Sequence, residues 1–405
     1  MSLCRFLPNP SDRMAIIWSL LTVKDSIVLE YGPAGTTHYS VSFFGKLNVD
    51  KENRLFTTHM SEDDVIMGNT ERLELAIKEI DETFAPKVIF VLASSVSAVI
   101  GTDIKGICMF MQDDVNAKLV GIEEGGFNGD YSLGQKNVYK YLVKAFTKEP
   151  TTKLEKHFNI IGASSWSYRI ESDVNEICRM MKDNFDFDLY TSLCTKTSVD
   201  ELTNMSSVRL NVVINNEGLE IAKYLEEKFG TPYIYMPLYG YKNTFAFLQE
   251  VSNTLNIPVV EEYFEGIQNK IAETSHYSMM KRMLRKNFKA FIFADYDHIV
   301  GLKGYLEQMG FEVDAVCKHS IKGIETDIKY LVSEKERVEI LKSLSNTLIF
   351  ADDVSNSLAD DTNTKVRFTT PNIKGQSICT HLPFVGVNGA DYIREFVEEY
   401  FSNLR

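Results

Sequence analysis

Four motifs that would name a chemistry are missing from this chain. No G-x-G-x-x-G follows a strand-like run, and there is no G-x-x-x-x-G-K-[ST], no H-E-x-x-H and no G-x-S-x-G. Dinucleotide, P-loop ATP, zinc-protease and serine-hydrolase readings therefore have no positive support. The seven histidines are scattered, and none has metal-ligand spacing. Cysteine is sparse: Cys4, Cys108, Cys178, Cys194, Cys317 and Cys379, the closest pair 16 positions apart, with no C-x-x-C. That excludes a disulfide framework and points to reduced thiols and the cytoplasm. No apolar run approaches the ~20 residues that span a bilayer. The stretch "MAIIWSLLTV" is about half that length, and no small-residue cleavage site follows it, so no secretory signal is read. Basic runs are missing too. Lys plus Arg is 43 against 56 Asp plus Glu, a net charge of −13. The longest basic cluster, "MMKRMLRKNFK", reads as the solvated face of a helix, so neither nucleic acid nor a membrane is an expected partner.

What is present is ordinary for a globular protein: 405 residues, 44% hydrophobic and 24% charged, with no low-complexity tract. That length predicts two or three domains. Short β-branched runs alternate with amphipathic stretches. Strands are expected at 26–31, 88–92, 118–122, 159–162, 210–214, 233–236, 289–294, 312–317 and 347–351. Helices are expected at 71–84, 173–184, 218–229, 241–255, 263–285 and 389–405. The strands are apolar on both faces, as in a parallel sheet covered by helices. A βαβα order over this length predicts an α/β fold of three Rossmann-like, doubly wound domains around a central cleft. The expected segments are 1–155, 156–260 and 261–405, the last opening on the long helix.

Ligands in such folds bind at loops beyond the carboxyl ends of strands. The loops to watch are "YGPAGTTHY", "ASSVSAVIGTDI", "EEGGFNGDYSLG", "NNEG" and "ADYDHIVG". In the first, Gly32 and Gly35 frame a tight turn, and Thr36 caps the helix that follows or holds something. His38 and Tyr39 come next, with packing the default for Tyr39. Ser94 and Ser95 carry the same two readings after the 88–92 strand. The glycines around Gly126 would let backbone approach a ligand closely, or simply make a good turn. Glu62, Asp63 and Asp64 could do acid/base work, but three acids in a row suit a helix N-terminus better. Cys108, Cys178, Cys194 and Cys317 read as core residues. Cys379 lies in the loop "SICTHLPF".

Taken in order, these loops resemble nitrogenase component 1. That superfamily also holds cofactor-assembly scaffolds, dark-operative protochlorophyllide reductase and the nickel-sirohydrochlorin reductive cyclase. The family's opening Cys before a Pro and a helix is matched by "SLCRFLPNPSDRMA". Its "HGPxGC" is matched by "YGPAGTT", and its "T…E.DVVFGG…L" by "TTHMSEDDVIMGNTERL". "PKVIFVLASSVSAVIGTDI" and "GGFNGDYSLG" follow at the family's places, then "NIIGASSW", "YLEEKFGTPYIYMPLYGYKNT" and "HLPFVGVNGADYI". The resemblance covers essentially the whole chain.

The departures matter as much as the matches. The resemblance implies three cysteines per subunit around an iron–sulfur cluster at a subunit interface. Here Cys4 stands at the first position, Thr36 at the second and Ser95 at the third, with Ala98 where a Glu is usual. A hydroxyl is a poor substitute for thiolate at iron. The family's cofactor-ligating Cys falls near Asn215, its ligating His near Val385, and a second-sphere His on Gln135. No iron–molybdenum-type cofactor is expected. Cys4 is the one expected metal ligand. Gly32, Gly35, Thr36, Ser95, Gly126, Gln135 and Asn215 are the other expected binding positions.

Three functional readings follow. The resemblance implies an oxidoreductase, or a subunit of one, that accepts electrons from an ATP-dependent iron–sulfur reductase and reduces an unknown substrate, a tetrapyrrole being one candidate. The alternatives are a non-catalytic partner or scaffold for metallocofactor assembly, and a degenerate paralogue that binds another small molecule. In each, the chain pairs with itself or with a homologous subunit.

Overall fold

The computed structural model describes residues 9–37, 54–284, 287–331, 333–372 and 378–404. It opens on helix α1 (Asp12–Leu20), buried along its whole length. The first sheet then forms from β1 (Ser26–Tyr31), β2 (Leu55–Thr57), β3 (Val88–Ala93) and β4 (Lys118–Ile122). Every residue of β1 and β3 is buried, which is why both read as unbroken apolar runs. Between these strands lie α2 (Glu62–Met67), α3 (Glu71–Phe84), α4 (Ser95–Val99) and α5 (Ile104–Met111). Helix α3 buries Leu73, Ile77 and Ile80, one face at helical spacing, and stops at Ala85 in the left-handed region. Ser61 caps α2 reciprocally with Asp64, and Glu62, Asp63 and Asp64 fill its first turn. The acidic triplet is thus a helix start.

Helix α6 (Tyr131–Phe146) leads to the second sheet, β5 (Leu154–Ile161), β6 (Asp188–Ser192), β7 (Val208–Val213) and β8 (Tyr233–Tyr235). Its helices are α7 (Ile170–Phe185), α8 (Val199–Asn204), α9 (Leu219–Phe229) and α10 (Gly240–Leu255). The long helix α11 (Glu261–Leu284) precedes the third sheet, β9 (Phe288–Ala294), β10 (Phe311–Cys317), β11 (Lys329–Tyr330), β12 (Thr347–Ala351) and β13 (Thr364–Arg367). Helices α12 (Tyr296–Gln308), α13 (Glu334–Ser343) and α14 (Asp353–Leu358) flank it, and α15 (Gly386–Asn403) ends the described chain.

Strand orders are β2-β1-β3-β4, β8-β7-β5-β6 and β11-β10-β9-β12-β13. All pairings within these sheets are parallel. The chain is therefore α/β with three doubly wound parallel sheets, as the alternation predicts. The hydrophobic clusters cross sheet boundaries. One joins α1 and α6 to Ile161 and Val213 of the second sheet. Another joins the second and third sheets through α10, α12 and α15. These two clusters tie the first sheet to the second and the second to the third.

Helix α15 starts three residues before the expected 389. Asp173 and Glu176 of α7 account for it. Asp173 accepts from the Phe384 and Val385 amides at 2.7 and 3.4 Å, and Glu176 accepts from the Asn388 amide at 3.1 Å. These acids receive N–H groups that a helix start leaves without partners.

Candidate functional site

The loops after β1 and β3 form one polar region. Glu30, fully buried in β1, makes an ion pair with Arg13 of α1, itself 95% buried. Arg13 Nε also donates to the Ala93 carbonyl at 3.1 Å, at the end of β3. From the turn after β1, Thr36 Oγ1 stands 2.6 Å from Glu30 Oε1 and 2.9 Å from the Pro33 carbonyl. Thr36 thus donates to a carboxylate and a carbonyl instead of capping. Ser94 is the cap of α4, in a reciprocal pair with Ser97. Ser95 donates to the Gly125 carbonyl at 2.8 Å. The loops are in hard contact. A Cβ at Gly32 would lie 2.3 Å from Ser94 Cβ, and one at Gly125 would lie 2.4 Å from Ala98 Cβ. Gly126 has φ of +93°, and a Cβ there would meet Ser11 Oγ at 3.2 Å. Nothing lies within 4 Å of a Cβ placed on Gly35.

The second region is the cleft where the strand ends of the second and third sheets meet the start of α6. It encloses a cavity of about 60 Å³. Gln135, Asn215 and Val385 line it together with Tyr131, Trp166, Tyr239 and His298. Four carboxylates also face it, Asp173, Glu217, Asp295 and Asp297, with no Lys or Arg among the described residues of its wall. Each is held by protein donors. Tyr131 donates to Asp295. Tyr235 and the Asn216 amide donate to Asp297, the latter at 2.8 Å. Ser132 donates to Glu217 at 2.5 Å. Burial pushes Asp297 up to about 7, aided by the nearby charge of Glu217. Burial likewise pushes Asp173 to about 7 against its two backbone hydrogen bonds. Both carboxyls can hold a proton near neutrality. Burial lowers His298.

Asn215 caps the short turn Asn216–Gly218 that follows β7 and is spent locally. Its side chain accepts from the Gly218 amide at 3.2 Å and donates to the Gly162 carbonyl. Gln135 is 2% exposed, its Oε1 3.4 Å from Ser19 Oγ. Val385 is the residue before α15 and offers no donor atom in its side chain. A second cavity, of about 80 Å³, shares Tyr131 and Trp166 with the first. It holds a buried ion pair, Lys318 Nζ to Asp352 Oδ2 at 3.1 Å, at the ends of β10 and β12. Either void has room for a few waters, so a bulky ligand requires the aromatic walls to move.

The sequence-predicted positions therefore fall into two groups. Gly32, Thr36, Ser95 and Gly126 lie in the first region, with Gly35 beside it. Gln135, Asn215 and Val385 line the cleft. Cys4, His38 and Tyr39 lie outside the described residues. Cys108, Cys194 and Cys317 are buried, Cys178 half-buried and Cys379 exposed. Burial pushes the Cys108 and Cys194 thiols up to about 12, and Cys178 to about 11. Sequence reasoning missed Arg13, Glu30 and Asp173; it flagged the loops "NNEG" and "ADYDHIVG", which carry Glu217, Asp295 and Asp297, without singling out those carboxylates. A signal existed for one of them: Glu30 is the lone charge inside "SIVLEY", a run otherwise built for a two-sided core.

No helix among the described residues is long and apolar enough to cross a membrane. The family model described as nitrogenase component 1 type oxidoreductase matches residues 13–397, and the chain belongs to that family. The nitrogenase iron-molybdenum cofactor biosynthesis protein NifE of Clostridium pasteurianum is 29% identical over 236 residues, 58% of this chain and 51% of that protein. The protein of the same name from Nostoc sp. is 28% identical over 256 residues, 62% of this chain and 52% of its own length. The chain thus spans about half the length of the curated relatives it matches. A solved structure titled "Nitrogenase Cp1 at pH 6.5" superposes with a TM-score of 0.80 at 17% identity, over 100% of this chain and 94% of that one. It shares the fold.

Proposed function

We propose that this member of the nitrogenase component 1 type oxidoreductase family is a non-catalytic partner or scaffold subunit for the assembly of a metallocofactor. The observation that carries the reading is the state of the cleft. The two positions where the resemblance puts cofactor ligands hold an amide committed to Gly162 and Gly218 and a valine, and the second-sphere position holds a buried glutamine. Neither amide nor valine is a soft donor for an iron-based cluster. The matched relatives are named for iron–molybdenum cofactor biosynthesis, which supports an assembly role over reduction of a tetrapyrrole.

A subunit with one thiol at the expected ligand positions, Cys4, needs a partner that supplies the rest. The first sheet offers a surface for one. Ile66, Met67, Met109 and Phe110 are 75–81% exposed, and Val99 and Phe127 are exposed too. Ile66, Met67, Ile100 and Phe110 line one open groove between α2, α4 and α5. An apolar patch of this kind on a water-facing surface marks a protein interface. The occupant is a homologous subunit, either a second copy or a family chain that keeps the cysteines, and the compartment is the cytoplasm.

The oxidoreductase reading stands second. It draws on the family description and on Asp173 and Asp297, whose carboxyls hold protons where a reduction in the cleft would consume them. An ATP-dependent iron–sulfur reductase would then be the electron donor. The two readings separate in one experiment. The full chain, complexed without oxygen with a cysteine-bearing homologous subunit, is given ATP, an iron–sulfur reductase and a tetrapyrrole. The scaffold reading expects no reduced product, and metal that tracks the partner's cysteines. Turnover that is lost in Asp297→Asn would overturn it.

A further inference from the structure

We infer that the loop region of the first sheet is closed by the buried Arg13–Glu30 ion pair with Thr36, and that it takes no iron–sulfur cluster. The inference is independent of the role assigned to the cleft. It rests on where the hydroxyls go and on charge.

An iron–sulfur cluster needs several soft donors converging on one space. Thr36 and Ser95 stand at two of the three positions the resemblance gives to thiolates. Their hydroxyls do not converge. Thr36 donates to Glu30 and the Pro33 carbonyl, and Ser95 donates to the Gly125 carbonyl. The loops that carry them touch at Gly32 and Ser94, so closely that a Cβ on Gly32 would fall 2.3 Å from the serine.

Charge gives the same answer. A thiolate-ligated cluster carries net negative charge. Glu30 is fully buried, and Arg13 is the cation that meets it. A second anion beside Glu30 would be poorly screened in this interior. In a cluster-binding relative, metal–thiolate bonds tie the loops together. Here Arg13 does so by bonding α1 to β1 through Glu30 and to the end of β3 through the Ala93 carbonyl. Breaking one side of such a buried pair costs more than replacing both sides.

The test uses the full chain, reconstituted without oxygen with ferrous iron and sulfide and then desalted. Iron, labile sulfide and the visible spectrum are measured on wild type, Thr36→Ala and Ser95→Ala. Background iron in all three, with an unfolding midpoint unchanged by an iron chelator, is the expected result. About two or more irons per chain with matching sulfide, lost in either variant, would overturn the inference. The ion pair has its own readout. Glu30→Gln is expected to lower the unfolding midpoint, and Arg13→Met/Glu30→Leu to recover part of that loss. A Glu30→Gln midpoint equal to wild type would also overturn it. If Glu30→Gln does not fold, the iron measurement on wild type still decides.

Discussion

Thr36 Oγ1 and Glu30 Oε1 are 2.6 Å apart across the turn that ends the first strand. A hydroxyl at a position resembling a metal-ligand site is thus a donor to a buried carboxylate. Removing it leaves Glu30 with one donor fewer in a place water does not reach. Thr36→Val is expected to destabilise the protein by about 1–3 kcal/mol, while Thr36→Ser keeps the donor and most of the stability. Urea unfolding of the two variants checks this. A Thr36→Val protein as stable as wild type would show that the contact does not matter.

Two glycines give a contrast in packing. A Cβ on Gly134 would fall 2.0 Å from the Asp12 carbonyl oxygen, backbone of α1 that cannot step aside. A Cβ on Gly35 meets nothing within 4 Å. Gly134→Ala is expected to cost at least ~2 kcal/mol through forced separation of α1 and α6. Gly35→Ala is expected to stay within about 0.5 kcal/mol of wild type. Thermal unfolding of the pair measures both, and equal midpoints would mean that α1 does not pack as described.

The cleft carboxylates predict a pH dependence. Asp297 is pushed from its ordinary 3.8 to about 7. A carboxyl with a raised folded value contributes stability that is fully present below its unfolded value. That contribution is lost as pH rises through about 7. Asn does not titrate. The midpoint of Asp297→Asn relative to wild type should therefore become more favourable as pH rises from about 4 to above 7. A difference that is flat across that window, or that runs the other way, contradicts the burial of Asp297.

Much of the fold is legible in the sequence because its central strands are two-sided. Val88–Ala93 and Thr347–Ala351 are buried throughout, and unbroken apolar runs announce them. Within the three large sheets, the strands that sequence reasoning passes over are β2, β6, β11 and β13, each at a sheet edge. Leu55–Thr57 is half-buried at every residue, and Thr364–Arg367 alternates, so neither makes such a run. The site divides the same way. Gln135 and Asn215 were reachable by order along the chain. Arg13 was not, because its partner lies 17 residues away on a different element, and only the fold brings α1 against β1. Asp297 and Glu217 come from loops of two different sheets and line one cleft, a juxtaposition no local pattern encodes.

In the proposed role this chain completes an assembly through its first-sheet surface. The measurement that tests it most directly is the particle mass of the full 46.1 kDa chain at micromolar concentration. It is made alone and mixed with a cysteine-bearing homologous subunit, for wild type, Met67→Asp and Phe110→Asp. The account predicts a two-chain particle in one of those conditions, weakened about tenfold or more by either substitution, since each puts a charge into the apolar centre of the contact. A single-chain particle in both conditions, or a pair indifferent to both substitutions, would contradict it.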